Sequence, residues 1–231
     1  MFGFFRKKRL KVTSASVTDR GLVRRDNQDS LLEKPTEGLF CVADGMGGGS
    51  AGEVASGIVC EEIAAVTKEP DFDRRIVAVD DAILRANTRI NDYASEHGFA
   101  QMGSTVAALL IDPNLPARAA VVHLGDSRVY RRRGIRLERL TSDHRTSEYS
   151  HFLTQAVGGR KEVTPDWLQA SVQPGDIWLI CSDGVCEMLP DTTINALIAH
   201  GGTPADIVAR IEKSVVSAGA RDNYSIVVIK T

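Results

Sequence analysis

Residues 38–49 read GLFCVADGMGGG, an apolar run that ends in an aspartate and continues into a series of glycines. The run Gly38–Ala43 has the length and apolar content of a buried strand, which places Asp44 at the strand's end. A buried carboxylate is costly unless it is paired or bound to a cation. The glycines permit a tight turn, and Ala51–Val66 then has apolar residues at helical spacing. This segment therefore predicts a strand, a buried carboxylate and a helix in succession.

Strand and helix patterns follow one another along the rest of the chain. Strands are predicted for Lys11–Asp19, Thr105–Ile111, Ala117–Leu124, Arg128–Arg132, Ile135–Leu140, Asp176–Cys181 and Tyr224–Ile229. Helices are predicted for Phe72–Tyr93, Thr192–His200 and Pro204–Val216. Strands mixed with paired helices favour helices packed outside two face-to-face sheets.

The composition indicates an ordinary globular protein. The chain has 231 residues, of which 43% are hydrophobic and 25% charged, so we expect one compact domain over residues 11–231. A formal net charge of −2 gives no general attraction to nucleic acid. The four cysteines form no C-x-x-C pair and are too few for a disulfide framework, which favours a reducing, cytoplasmic setting. The sequence has no apolar run approaching the roughly 20 residues of a membrane span.

Residues 1–10, MFGFFRKKRL, combine three phenylalanines with four basic side chains and are predicted to be a separate basic and aromatic tail. Such a segment could dock on an anionic membrane surface or on a partner protein, since aromatic groups bury and basic groups pair with headgroups. A solvated tail is the competing interpretation, and the residues leave both open. The segment lacks the apolar run and cleavage site of a signal peptide, so secretion is not expected.

Four aspartates stand beside glycine or small polar residues at the ends of apolar strands: Asp29, Asp44, Asp183 and Asp222. Any one Asp-Gly pair is more often a turn. Four such aspartates together favour a bound cation that all of them share. Hard oxygen ligands without histidine or cysteine select Mg²⁺ or Mn²⁺, and two such ions can activate a water molecule. The chemistry indicated is hydrolysis at phosphorus.

With these residues the sequence resembles the metal-dependent protein phosphatase family, the protein phosphatase 2C type, in its compact bacterial form. The resemblance extends over about residues 11–230. It implies an α+β fold, a four-layer α/β/β/α sandwich of two antiparallel β-sheets flanked by helix pairs. Eight motifs occur in the family's order: VRRDNQD (23–29), ADGMGG (43–48), GST (103–105), GDSR (125–128), LTSDH (140–144), LTQAVG (153–158), SDGV (182–185) and DN (222–223).

The resemblance implies a ligand set for two ions of Mn²⁺ or Mg²⁺. Asp44 would bridge the two ions, and Gly45 would contribute its carbonyl oxygen to one of them. Asp183 and Asp222 would bind the other ion. Asp29 would hold a water molecule that is bound to the metal.

Three further residues match functional positions of the family. Arg24 matches the phosphate-binding arginine, whose planar fork suits a phosphoryl group. Asp126, with Asp183, matches a third and weaker ion site, and Glu187 has the spacing of another carboxylate at that site. A strand-end aspartate that bonds to Ser127 or to the backbone is the competing interpretation of Asp126.

The sequence departs from the family pattern at two places. Position 46 is methionine, where animal members have a histidine that can serve as an acid, so a metal-bound water would protonate the leaving group. His123 and His144 lie in family motifs, and we expect both to be neutral and held by local hydrogen bonds. Only eight residues, 145–152, separate LTSDH from LTQAVG. This spacing implies a shortened flap and an open catalytic face, with substrate choice set by other surfaces.

The resemblance implies a protein-serine/threonine phosphatase, a phosphoric monoester hydrolase that opposes a bacterial Ser/Thr kinase. Its implied partners are phosphorylated proteins, a cognate kinase, and forkhead-associated or secretion-system proteins. One alternative is a related phosphatase in a sporulation or stress-signalling switch that acts on an anti-sigma-factor antagonist. Another is a catalytically silent module that binds phosphoproteins or a kinase, although such a module has no need for facing buried carboxylates. A purely structural sandwich leaves the aspartate motifs unexplained.

Overall fold

The computed structural model describes residues 11–49, 51–112, 114–115, 117–147 and 152–231. The tail predicted for residues 1–10 lies outside these described residues. The strands are β1 (Thr13–Asp19), β2 (Asp29–Lys34), β3 (Leu39–Gly47), β4 (Met102–Ser104), β5 (Val106–Ile111), β6 (Arg118–Leu124), β7 (Arg128–Arg133), β8 (Arg136–Arg139), β9 (Asp166–Ser171), β10 (Ile177–Cys181) and β11 (Tyr224–Lys230). The helices are α1 (Ala51–Ala64), α2 (Phe72–His97), α3 (Asp183–Cys186), α4 (Asp191–Ala199) and α5 (Pro204–Ser217), with a 3₁₀ turn at Ala65–Lys68.

The strands form two antiparallel sheets. One sheet has the order β1-β11-β10-β7-β8, and the other has the order β2-β3-β5-β6-β9 with β4 paired to β3. Helices α1 and α2 pack on the outer face of the second sheet, and α4 and α5 pack on the outer face of the first. The four-layer α/β/β/α prediction is therefore confirmed.

The run at residues 38–43 is apolar throughout because β3 is covered on both faces. Leu39 and Cys41 point to the cluster beneath α1 and α2, whereas Phe40 and Val42 point between the sheets. Trp178 of β10 lies in the same inter-sheet cluster and is fully buried. Successive side chains of a strand point to opposite faces, so a strand between two packed layers needs apolar residues at every position.

The longer helices begin and end where the sequence supplies capping groups. Asp71 precedes α2 and accepts a hydrogen bond from the Arg74 amide at 2.9 Å, and Gly98 ends the helix in the left-handed conformation with φ of 73°. Thr203 and Asp206 form a capping box at the start of α5, where Pro204 is the first helical residue. These caps satisfy terminal backbone groups, which fixes the helix ends against the sheets.

Strands β2, β4 and β9 and helix α3 were not predicted from the sequence. Strand β9 lies at a sheet edge and β4 has only three residues, so neither needs the apolar run by which a buried strand is recognised. The predicted ends also differ slightly, since β1 begins at Thr13 and α1 ends at Ala64. Within the described part of the chain, no helix combines the length and the apolar character that crossing a membrane requires.

Candidate active site

The predicted site residues meet in one cavity at the edge of the sandwich. Asp44 and Gly45 lie in β3. Asp183 is the first residue of α3, two residues after the end of β10, and Asp222 lies just before β11. These four residues line a cavity of about 1030 Å³ together with Arg24 and Asp126. Residues from five separate regions of the chain are thus brought to one place.

Asp29 lies behind the cavity in β2, directly opposite Asp44 in the strand pairing. Its side chain is buried, and Oδ2 accepts a hydrogen bond from the Ser182 hydroxyl at 2.7 Å. Oδ1 is buried and has no hydrogen-bond partner among the described residues. Burial raises the pKa of Asp29 to about 6, although the hydrogen bond from Ser182 lowers it. Asp29 therefore has a buried carboxylate oxygen without a hydrogen-bond partner, and it lies opposite Asp44, a second carboxyl group.

Asp44 and Asp183 resist ionisation together. Burial, followed by the nearby charges of Asp29 and Asp183, raises the pKa of Asp44 well above its ordinary value. Burial and the charges of Asp126 and Glu187 raise the pKa of Asp183 to about 8. At neutral pH this cluster needs positive charge to be fully ionised.

The backbone around Asp44 is held from two sides. The Asp44 amide donates to the Thr105 hydroxyl at 2.9 Å, and the Thr105 amide donates to the Asp44 carbonyl at 2.8 Å. Gly45 packs against the start of α1, where a Cβ atom on Gly45 would lie 1.9 Å from the Gly52 carbonyl oxygen. Only glycine fits at that distance, so the Asp-Gly pair is required by the packing as well as suited to a turn.

Asn223 connects the segment bearing Arg24 to the segment bearing Asp222. Its side-chain amide donates to the carbonyl oxygens of Arg20 and Asp26 at 3.0 and 2.8 Å, and its Oδ1 accepts from the Gln28 amide at 2.9 Å. Arg24 lies between these anchor points and its Nη2 contacts Asp222 Oδ2 at 2.7 Å. The Arg24 side chain is 55% exposed, so its fork is accessible from the cavity.

Asp126 and Glu187 also lie beside Asp183, and an arginine stands among the three. Arg145 donates through Nε to Asp126 at 2.7 Å, its Nη1 contacts Glu187 at 2.7 Å and its Nη2 contacts Asp183 at 3.2 Å. Arg145 was not predicted from the sequence to be a site residue. A single arginine in a connecting segment gives no pattern signal, and only its position directly after the LTSDH motif could have drawn attention to it.

Comparison with known proteins identifies the family to which this chain belongs. The family model described as Protein phosphatase 2C matches residues 15–213. The chain belongs to the protein phosphatase 2C family. The predicted resemblance is therefore confirmed.

Two named bacterial proteins resemble this chain over most of its length. The serine/threonine protein phosphatase PstP of Mycobacterium tuberculosis is 32% identical over 232 residues, which cover 93% of this chain and 44% of PstP. The chain thus spans less than half the length of that relative. The structure of PppA, a key regulatory component of T6SS in Pseudomonas aeruginosa, matches with a TM-score of 0.90 and 30% identity over 95% of this chain and 97% of PppA.

A third comparison concerns metal ions. The catalytic domain of PstP in complex with two manganese ions matches with a TM-score of 0.86 and 32% identity, over 95% of this chain and 97% of that domain. In this protein phosphatase 2C member, the facing carboxylates supply only oxygen ligands, which suit Mn²⁺ and Mg²⁺. The unpaired Oδ1 of Asp29 and the raised pKa of Asp183 indicate missing positive charge at the same place. The residues present therefore fit a centre for divalent cations.

The two motif histidines of this family member lie together with Asp166. His144 Nδ1 accepts from the Gly125 amide at 3.2 Å, and Nε2 lies 3.0 Å from Asp166 Oδ2. His123 is 2% exposed, and burial lowers its pKa to about 4. The expected hydrogen bonding is correct for His144 but wrong for His123, because neither ring nitrogen of His123 has a partner among the described residues. The ring of His123 instead packs 4.6 Å from that of His144.

The nitrogen and carboxylate atoms of His123, His144 and Asp166 are close enough to bind one metal ion. The hydrogen bonding argues against this. Because His144 Nδ1 accepts from a backbone amide, a neutral ring has its proton on Nε2, which faces Asp166. A protonated nitrogen does not bind a metal ion.

The segment predicted to be a shortened flap, residues 145–152, is described at residues 145–147 and 152. Arg145 pairs with Leu153 in an isolated antiparallel bridge, and the Thr154 amide donates to the His144 carbonyl at 2.8 Å. Residues 152–156 line the cavity on this side. The predicted open catalytic face remains a prediction, because residues 148–151 lie outside the described part of the chain.

Proposed function

We propose that this chain is a metal-dependent protein-serine/threonine phosphatase, with residues 11–231 as its catalytic domain. The observation that supports the proposal is the meeting of Asp44, Asp183 and Asp222 with Arg24 in one cavity of a protein phosphatase 2C family member. Facing, partly buried carboxylates that outnumber the arginines beside them suit a pair of divalent cations. An accessible arginine beside them suits the phosphate of a substrate.

The side chains divide the work between cation binding and substrate binding. Asp44, the Gly45 carbonyl, Asp183 and Asp222 hold two ions of Mn²⁺ or Mg²⁺. When bound, such ions lower the pKa of a water molecule and offset the charge on phosphoryl oxygens. Asp29, through its unpaired Oδ1, accepts a hydrogen bond from water in the centre and orients it.

Arg24 binds the phosphoryl group of the substrate. In this structure its guanidinium contacts Asp222, and its exposure allows the fork to turn toward phosphoryl oxygens in the cavity. A planar guanidinium binds two such oxygens at once and favours the in-line arrangement of attacking water and leaving group. Among the cavity-lining residues of the described chain there is no histidine, so the leaving alkoxide takes its proton from water.

The proposed substrates are phosphoserine and phosphothreonine residues of proteins, and the proposed setting is the cytoplasm. The description of PppA as a key regulatory component of T6SS supports substrates linked to a secretion system. A cognate Ser/Thr kinase that the phosphatase opposes is proposed because a phosphatase needs phosphorylated substrates. Forkhead-associated proteins belong to the same proposed group of substrates. A silent binding module is not favoured, because it would bear the cost of four facing carboxylates without using them.

Phosphate release from a phosphothreonine peptide tests this proposal. The full chain is assayed with Mn²⁺, with Mn²⁺ and excess chelator, and as the Asp44→Asn variant. Asp92→Asn is the matched control, because Asp92 is an exposed carboxylate on α2 outside the cavity. We expect turnover that requires the cation, falls at least about 100-fold in Asp44→Asn and is unchanged in Asp92→Asn. Well-folded, Mn²⁺-loaded wild type that releases no phosphate would contradict the proposal.

A further inference from the structure

The guanidinium of Arg145 is surrounded by three carboxylates. Its Nε and Nη2 both lie 2.7 Å from Asp126 Oδ2, and its Nη1 lies 2.7 Å from Glu187 Oε1. Nη2 also lies 3.2 Å from Asp183 Oδ2. Every guanidinium nitrogen therefore contacts a carboxylate oxygen. The side chains of Arg145 and Asp126 are only 9% and 7% exposed, so this group is shielded from water.

We propose that Arg145 is a built-in cation that takes the place of a metal ion among Asp126, Asp183 and Glu187. The chain then uses two exchangeable cations and one covalently attached positive charge. The proposal rests on the proposed function only in taking Asp183 as a residue shared with the two-ion centre.

Distance excludes a metal ion and the guanidinium from the same position. Mn²⁺ and Mg²⁺ bind carboxylate oxygens at about 2.0–2.2 Å, and Ca²⁺ binds them at about 2.3–2.6 Å. The guanidinium nitrogens stand 2.7–3.2 Å from the same oxygens on Asp126, Asp183 and Glu187. A metal ion among these oxygens would lie within bonding distance of the guanidinium and would repel it. Binding the ion requires Arg145 to leave.

Leaving is costly because both sides of the contact are shielded. An arginine stays charged at every physiological pH, so Arg145 cannot lose its charge by titration. Removing one partner from a shielded ion pair leaves an uncompensated charge and destabilises a protein strongly. Arg145 would be left in that state if a metal ion bound there, since the ion would bind Asp126, Asp183 and Glu187, the carboxylates with which Arg145 pairs.

The backbone also holds Arg145 in place. The preceding residue, His144, donates its amide to the Gly125 carbonyl at 2.8 Å and accepts from the Thr154 amide at 2.8 Å. Asp143, one residue earlier, forms a two-pronged pair with Arg128 at 2.9 and 2.6 Å. Arg145 therefore belongs to a segment whose backbone is held by hydrogen bonds. It also forms an isolated β-bridge with Leu153, which lines the cavity.

The number of bound manganese ions tests the proposal without an activity assay. The full chain is titrated with Mn²⁺ by calorimetry, and the bound ions are located by anomalous diffraction. We expect two ions in wild type and three in Arg145→Ala, the third lying among Asp126, Asp183 and Glu187. The double variant Arg145→Ala/Asp126→Ala should return to two. Arg139→Ala, which removes an exposed arginine on β8, is the matched control and should keep two.

Three ions in wild type, or two ions in well-folded Arg145→Ala, would overturn the proposal. Arg145→Lys keeps the charge and should bind two ions. If Arg145→Ala does not fold, an anomalous peak among the three carboxylates in wild type or Arg145→Lys would overturn the proposal, and its absence there would support it. Wild type that binds no manganese at all would contradict the proposed function instead, so the two failures are distinguishable.

Discussion

Replacing Asp183 with asparagine should stabilise the metal-free protein at alkaline pH while removing its metal-dependent activity. In the metal-free fold, burial and neighbouring carboxylates raise the pKa of Asp183 from 3.8 to about 8. The folded protein thus binds a proton at Asp183 more tightly than the unfolded chain does. Its free energy of unfolding must therefore fall as the pH rises from about 4 to about 8, and level off above that.

The size of this effect follows from the pKa difference. Each pH unit between the two pKa values costs about 1.4 kcal/mol, so the free energy of unfolding should fall by about 4 kcal/mol between pH 5 and pH 8. An asparagine at position 183 keeps the shape and has no charge, so the variant lacks this contribution. Asp29 and Asp44 titrate in both proteins. Loss of the Asp183 charge should lower the pKa of Asp44 in the variant, which adds to the difference in the same direction.

Urea unfolding in chelator at pH 5, 6, 7 and 8 measures the difference. Relative to wild type, Asp183→Asn should gain about 4 kcal/mol as the pH rises over this range. The exposed Asp92→Asn control should follow wild type. Saturating Mn²⁺ should stabilise wild type at pH 8 more than the variant, because the cations favour the ionised carboxylates. Parallel curves for wild type and Asp183→Asn would refute the reasoning, because they would mean that Asp183 is ionised without cost.

Three other predictions concern single residues. Arg24→Ala should lower kcat/KM for a phosphopeptide about 10- to 100-fold, since one charge-assisted contact is lost, and unfolding should hardly change; a value within twofold of wild type would contradict this role. Gly45→Ala should destabilise the protein by at least about 1–3 kcal/mol in thermal unfolding, whereas Gly48→Ala, whose Cβ meets nothing within 4 Å, should be near neutral. His123, whose pKa is lowered to about 4, should show no titration in NMR spectra between pH 5.5 and 8. The free energy of unfolding should fall as the pH falls from 6.5 through 4, because the unfolded chain then binds a proton at His123 that the folded protein does not. A titration midpoint near 6.5 would be inconsistent with the burial of His123.

The parts of the fold that the sequence predicts best are those buried on both faces. The runs at Leu39–Ala43 and Ile177–Cys181 are apolar at every position because layers cover them on each side. Edge strand β9 has one exposed flank and tolerates polar residues, so its sequence gives no clear pattern. The composition and periodicity of a segment indicate how its side chains are buried. They therefore predict a strand poorly where its side chains are only partly buried.

The predicted site residues were found because their motifs place carboxylates beside glycines at strand ends. That pattern led to Asp44 and Asp183, and the structure brings both into one cavity. Arg145 was missed for a physical reason, because its role depends on three carboxylates that are distant in the sequence. They are Asp126 in the turn between β6 and β7, Asp183 in α3 and Glu187 directly after α3. No local sequence property of an arginine reports which distant charges surround it.

Anomalous diffraction from crystals of the full chain grown with Mn²⁺ tests most directly whether the aspartate cluster is a metal centre. The account predicts two manganese peaks inside the cavity, in contact with the carboxylates of Asp44, Asp183 and Asp222, and none among the ring nitrogens of His123 and His144. A cavity without manganese, or manganese bound only between those histidines and Asp166, would contradict it.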